Sequence, residues 1–384
     1  MMSGPYPHAM MPQTQHDERA RIDFVEEFKK HLALEIMPGN RTVYERTVVP
    51  SATSTLGRPL KSRHEVREHM NHNPYFRMFG SLQRTSQEML WDGVAESVVR
   101  QSGKLDAVAN RAAQVQKSGS LKLDPKLKPP AYVTAVDIHC MPGGYAGEAM
   151  GQTAAGAIYD LGVYHYAMSS LGPRNSGMGE RMIGTLKEKF SGLNPRRILD
   201  LGCTVGNATL PYVEAFPDAE IHAVDVSAPV LRYANARAQS FGAPIHFSQQ
   251  NAEQTNFPDG HFDLVLSHIL LHETSSSAIG RILRECHRLL APGGVTAHAE
   301  LGFFEGLNPY DAFILDYDTY NNNEPFWTTM REMNPVDLMR DAGFDKNEIF
   351  LATVPRDPGG KTVYSDNVAD ANGRGTWLVI GAQK

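Results

Sequence analysis

The feature that most constrains this chain is a rhythm in its second half. Apolar runs at 197–201, 220–226, 245–249, 262–267 and 295–301 each read as a short strand, and helical or loop stretches of about 12–20 residues separate the first four. Such alternation builds βαβ units, because a parallel neighbour can only be reached through a crossover. Two further runs, 349–354 and 376–382, have no helix between them and can pair antiparallel. The expected fold is therefore α/β: a Rossmann-like sheet of seven strands with helices on both faces. Right-handed crossovers place the C-terminal ends of the parallel strands along one rim, where open α/β sheets bind ligands.

With 384 residues the chain is longer than such a sheet needs. Its texture changes near residue 175. Residues 17–175 carry amphipathic helical patterns at 17–34, 86–101 and 151–171. A Lys/Pro/Ser-rich stretch at 118–130 reads as a linker, and an alternating run at 131–139 reads as a strand. This half is expected to be a mainly helical cap that helps to shape a substrate site and to form a homodimer. Residues 1–16, rich in Met, Pro and His without an apolar core, read as a disordered tail and not as a secretory leader.

Charge divides at the same point. The overall balance is 37 basic against 43 acidic side chains. Residues 1–175 hold 20 basic and 17 acidic groups, net +3, and residues 176–384 hold 17 and 26, net -9. A mildly acidic protein is not built to hold nucleic acid, which calls for clustered Lys and Arg. No apolar run reaches the ~18 residues of a membrane span. The three cysteines, Cys140, Cys203 and Cys286, are far apart and form no CxxC pair, so reduced thiols in a cytoplasmic protein are expected.

The chemistry is concentrated at the strand tips. In the run 198–207 (ILDLGCTVGN) a buried strand ends in Asp200, turns through Gly202, and restarts as a helix after Gly206. Gly202 admits close backbone approach, the helix start offers N–H groups to a carboxylate, and Asp200 can accept from an ammonium. The next strand ends in Asp225, 25 residues on, where an acid accepts from two adjacent ribose hydroxyls. The third ends at Asn251, whose side-chain carbonyl suits an adenine amino group. An amino acid, a ribose and an adenine held by three successive tips describe S-adenosylmethionine.

At these residues the chain resembles the class I methyltransferases of the small-molecule type that includes the ubiquinone and menaquinone C-methyltransferases. The likeness runs through LDLGCTVGN (199–207), AVDVSAPVL (223–231), the block 251–273 and LLAPGG (289–294). It implies a cofactor site carried by Asp200, Gly202, Cys203, Gly206, Asp225, Val226, Asn251, Ala252, Ser267 and His268, with Tyr159 closing over it. Thr204 stands where such proteins usually have a glycine, which narrows the approach to the methionine moiety.

Methyl transfer from a sulfonium is an in-line displacement, so the protein must align the acceptor and, for a hydroxyl acceptor, supply a base. His268, His272 and Glu273 follow the fourth strand and are the candidate catalytic groups, with His272 as base. The two histidines lack a third ligand and the order is not HExxH, so no metal centre is expected of them. Eight aromatics crowd 303–327. Phe303, Tyr310 and Tyr317 among them, with Tyr164 and Tyr166 from the preceding half, are the candidate acceptor-binding residues. The expected reaction is methylation of a small organic acceptor, at oxygen ahead of carbon, nitrogen or sulfur. A non-catalytic cofactor-binding role is the alternative.

Overall fold

A computed structural model describes residues 4–355, 361–365, 368–371 and 376–384. The strands are β1 (Ser120–Lys122), β2 (Arg197–Leu201), β3 (Glu220–Asp225), β4 (Ile245–Gln249), β5 (Phe262–His268), β6 (Leu290–Glu300), β7 (Ile349–Pro355), β8 (Val363–Ser365) and β9 (Thr376–Gln383). They form one sheet in the order β1-β4-β3-β2-β5-β6-β9-β7-β8. The first six are parallel to their neighbours, and β9 runs antiparallel between β6 and β7. The seven expected strands are thus present, with one short strand added at each edge. Order reverses between β2 and β5, which makes their C-terminal ends the crevice of the sheet.

Both faces are covered, and the β2 sequence shows why. Ile198 feeds one apolar cluster, with Leu186, Leu231 and Phe350. Its neighbour Leu199 feeds the opposite one, with Ile279, Ile282 and Cys286. A run buried on both sides has no polar alternation, as parallel strands require.

The first half is no separate cap. β1 lies inside the stretch expected to be a linker and pairs with β4 from Ser120↔His246 to Lys122↔Ser248. The helix Pro74–Val99 begins at an Asn73 cap followed by proline, about three turns earlier than its apolar stripe alone indicated. It packs on the helix Ala154–Tyr166, where Trp91 lies so close to Gly162 that any side chain there would overlap the indole. The same helix packs on Ala228–Ser240 of the sheet layer. One apolar cluster therefore contains Ile22, Trp91 and Leu161 together with Val205 and Tyr233. A second joins Phe76 and Phe79 to Tyr310, Phe313 and Tyr317 of the segment after β6.

Two local expectations are corrected. Residues 131–139 form a short helix, Ala131–Thr134, and a turn, Ile138–Cys140, and not a strand. They pair with no strand among the described residues, and Tyr132, Val133, Ile138 and His139 lie over the ligand crevice. Residues 4–15 are not a free tail, while residues 1–3 lie outside the described residues. Met10 is fully buried, Tyr6 N–H donates to Pro173 O at 2.7 Å, and His8 Nε2 meets Asp160 Oδ2 at 3.1 Å.

Asp160 also accepts from Arg237 Nε (2.9 Å) and the Tyr233 hydroxyl (3.0 Å). Burial alone would raise its carboxyl, but Arg237, His8 and Tyr233 hold it well below the usual carboxylate range. A depressed folded value contributes stability above the unfolded pKa of 3.8 that is lost as pH falls through the folded value. Asp160→Asn leaves the 2 %-exposed Arg237 without its counter-ion. We expect it to cost about 3–5 kcal/mol at neutral pH and to flatten the acid limb of a urea-unfolding series.

Candidate active site

The crevice opens into a cavity of about 1420 Å³ walled on one side by the sheet tips and on the other by the first half of the chain. That volume exceeds a typical single-ligand pocket of roughly 300–1,000 Å³. It leaves room for a cofactor and an acceptor together.

At the sheet tips, the turn after β2 takes φ of 67° at Gly202, 45° at Thr204 and 74° at Gly206. A Cβ on Gly202 would lie 2.6 Å from Leu270 Cδ1, so only glycine leaves that approach open. Thr204 carries a side chain in the left-handed region, a strained position that its backbone helps to hold by donating to Asp225 Oδ2 at 3.0 Å. Asp225 Oδ1 accepts from Ser227 N–H at 2.9 Å. Burial nevertheless pushes the Asp225 carboxyl up to about 6, against the pull of those two N–H groups. The Asp200 carboxylate accepts from Thr209 Oγ1 (2.5 Å) and meets His268 Nδ1 (3.2 Å). The helix of this turn starts only at Leu210 and is six residues long, later than the glycine spacing implied.

Of the sequence-derived cofactor residues, Asp200, Gly202, Cys203, Asp225, Val226, Asn251, Ala252, His268 and Tyr159 line the cavity. Gly206 turns its α-carbon to Phe247 and completes the loop behind them. Ser267 is corrected: it pairs in register with His298 on β6 and spends its hydroxyl on that ring's Nδ1 at 2.8 Å, inside the sheet.

On the acceptor side, Tyr166, Tyr310 and Tyr317 line the cavity with His272 and Glu273. Tyr164 does not, because Tyr159 and Tyr166 are seven residues apart on one helix face and Tyr164 lies on another, edge-on to His165. Phe303 packs in the core with Met330 and Leu283. Both are corrected from acceptor contacts to scaffold.

The three candidate catalytic groups separate by their partners. His268 has both ring nitrogens engaged, Nδ1 with Asp200 and Nε2 with the Tyr212 hydroxyl at 3.2 Å, so it has no free nitrogen for a substrate. His272 is held from one side only: Nδ1 lies 2.6 Å from Glu300 Oε2, whose other oxygen accepts Leu271 N–H at 2.6 Å. Its Nε2 has no hydrogen-bond partner among the described residues and lies 3.6 Å from Glu273 Oε1. Burial disfavours the imidazolium, but the Glu300 and Glu273 carboxylates outweigh it and raise the ring's pKa. Trp327 stands edge-on to the imidazole at 4.7 Å.

Sequence reasoning missed Glu300, Lys29, His139, Tyr145 and Glu324. Glu300 closes β6, a tip with no ligand motif of its own. Lys29, His139 and Tyr145 come from the first half. Ser227 Oγ donates to Tyr145 O at 2.5 Å, tying that roof to the cofactor wall.

A doubly wound sheet whose reversal point carries a glycine turn, an acid after the second strand of the motif and a roofed cavity has the form expected of a class I S-adenosylmethionine-dependent methyltransferase domain. The residues fit that molecule: the glycine gap at Gly202, the carboxylate of Asp225 and the polar edge of Asn251 face one space. Sequence comparison agrees for the part of the chain it matches. Residues 198–294 match the methyltransferase domain family. Demethylmenaquinone methyltransferase of Thermus thermophilus is 36% identical over 100 residues, 26% of this chain and 44% of that protein. Malonyl-[acyl-carrier protein] O-methyltransferase of Halorhodospira halophila is 33% identical over 110 residues, 29% of this chain and 36% of its own length. The matched region thus spans less than half of either relative. Among solved structures, phosphoethanolamine N-methyltransferase 2 of Haemonchus contortus aligns over 59% of this chain and 57% of its own, at 18% identity and a TM-score of 0.42.

Proposed function

We propose that the chain methylates an oxygen of a small organic acceptor, with His272 as general base. The observation that carries this reading is the one-sided anchoring of His272. Glu300 takes its Nδ1–H and so leaves the buried Nε2 without a hydrogen-bond partner among the described residues, in a ring that lines the same cavity as the cofactor turn. S-adenosylmethionine supplies a methyl group on a sulfonium, an electrophile that needs no metal or acid to activate it. The chain's part is to orient, to exclude water and to take a proton. Nε2 accepts the hydroxyl proton as the acceptor oxygen attacks, and the Glu300 carboxylate stabilises the imidazolium that results. Trp327, Tyr166 and Tyr317 give the apolar lining that suits an aromatic or enolic acceptor.

An acidic C–H acceptor would use the same base, and the similarity to a quinone-precursor methyltransferase keeps carbon as the second reading. The two separate on product. With methyl-labelled cofactor and a panel of phenols, enols, β-dicarbonyls, amines and thiols, we expect label in an aryl or enol ether methyl. Label on carbon would favour the second reading, and label confined to amine or thiol acceptors would overturn the role of the base.

A further inference from the structure

Ile269, standing where HExxH has its glutamate, excludes a zinc-protease motif at His268 and His272, but the fold brings a different histidine to this place. His139 enters from the roof turn Ile138–Cys140, Glu273 from the turn after β5, and Glu324 from the loop before Trp327. One ligand atom from each lies within 4.8 Å of the others. His139 Nε2 is 3.1 Å from Glu273 Oε1, and its Nδ1 contacts Glu324 Oε1.

Hydrogen bonding leaves part of this cluster unmatched. His139 Nδ1 and Glu273 Oε1 have the ion-pair contacts just given but no well-formed hydrogen bond, and Glu324 Oε2 and the nearby His272 Nε2 are buried without a hydrogen-bond partner among the described residues. The Glu324 side chain is 1 % exposed, and besides the His139 ring the donor that reaches it is Asn322 Nδ2, a long 3.4 Å from Oε1. Buried polar atoms are normally paired, and a cluster of orphans marks a missing water or ion. These orphans are carboxylate oxygens and imidazole nitrogens, which are electron-pair donors. With no ion bound, burial disfavours the His139 imidazolium, but Glu324 and Glu273 outweigh it and hold the ring in its protonated form well above the usual histidine range. A divalent cation that displaced that proton would cancel the -2 of two carboxylates and a neutral imidazole. A mixed N/O set of this kind suits Mn²⁺, Fe²⁺ or Zn²⁺ better than Mg²⁺ or Ca²⁺, which prefer oxygen alone.

We propose that His139, Glu273 and Glu324 bind one divalent first-row transition cation at the acceptor end of the cavity. His139 and Glu273 line that cavity, so the ion is reached from the acceptor's side. The binding is independent of the reaction proposed above. Its use, holding the acceptor oxygen beside His272 and easing loss of the proton to Nε2, rests on that reading.

The rival arrangement is a protonated His139 bridging the two carboxylates with no ion. Chelator-stripped full-length protein titrated with Mn²⁺ and Zn²⁺ at pH 7.5 decides between them. We expect one tight equivalent per chain and, for Mn²⁺, electron spin-echo modulation from a single imidazole nitrogen. Affinity should fall at least tenfold in both His139→Ala and Glu324→Gln. Glu324→Gln keeps the side-chain shape, so its circular dichroism should match that of the parent. No stoichiometric uptake by the parent protein, or uptake unchanged in the two variants, would overturn the site. Neither result bears on the cofactor, whose binding is measured without metal.

Discussion

Replacing His272 by alanine is expected to lower kcat by about 10²–10⁴, the usual span for a positioned general base. The cofactor dissociation constant should stay within about threefold, because His272 shares no hydrogen bond with Asp200, Asp225 or the turn between them. The separation of the two readouts matters. His272 is fully buried beside Trp327, so a merely structural role would show as a lower unfolding temperature with rate per folded molecule preserved. Glu300→Gln is the companion variant. It keeps an acceptor for Nδ1–H but removes the charge that stabilises the imidazolium, and also weakens the Leu271 N–H contact. We expect a fall of at least about tenfold in kcat, since charge-assisted hydrogen bonds are roughly twice as strong as neutral ones. A rate unchanged in His272→Ala, measured by cofactor turnover, would assign the ring to packing.

The second large effect is at Asp225. Its carboxylate organises the turn through Thr204 N–H and Ser227 N–H and presents its remaining lone pairs to the cavity. Asp225→Ala removes two charge-assisted hydrogen bonds from the scaffold as well as the ligand's acceptor. At ~1.5–3 kcal/mol for each bond to a charged group, a loss of about 10²-fold or more in cofactor affinity is expected. The same carboxyl predicts a pH dependence. Because burial raises it to about 6, the cofactor-free protein binds an extra proton between about pH 4 and 6 and loses stability as pH rises through that window. Hydroxyl donors favour the ionised form. Cofactor affinity should therefore rise with pH, about tenfold from pH 5.0 to 7.5, with proton release near pH 6 read from buffer-dependent heats.

These expectations draw on residues of unequal legibility. Asp200, Gly202 and Asp225 could be read directly, because a parallel strand must end in a turn and these side chains are the ones that turns at a sheet's reversal point expose. Ser267 misled for a reason of parity: within β5 it points along the sheet to His298, and only the β6 register reveals that. Tyr164 and Phe303 misled because aromatic content says nothing of which helix face or layer will meet the cavity. Glu300 and His139 were illegible. Glu300 is 28 residues from the ring it orients, and His139 is 134 residues from Glu273. No local period links such pairs; the packing of the Ala154–Tyr166 helix against Trp91 and Tyr233 brings the roof over the sheet. The same packing explains why the division at residue 175 fails as a domain boundary, since β1 and residues 4–15 both cross it.

The central claim is that the turn from Asp200 to Asp225 binds S-adenosylmethionine in the cavity that His272 faces. Isothermal titration of S-adenosylmethionine into the full-length protein at pH 7.5 tests it most directly. One site per chain is predicted, with a dissociation constant between about 1 μM and 1 mM, the range in which enzymes usually hold their substrates. No saturable heat from the folded protein, or equal affinity in Asp225→Ala, would contradict it.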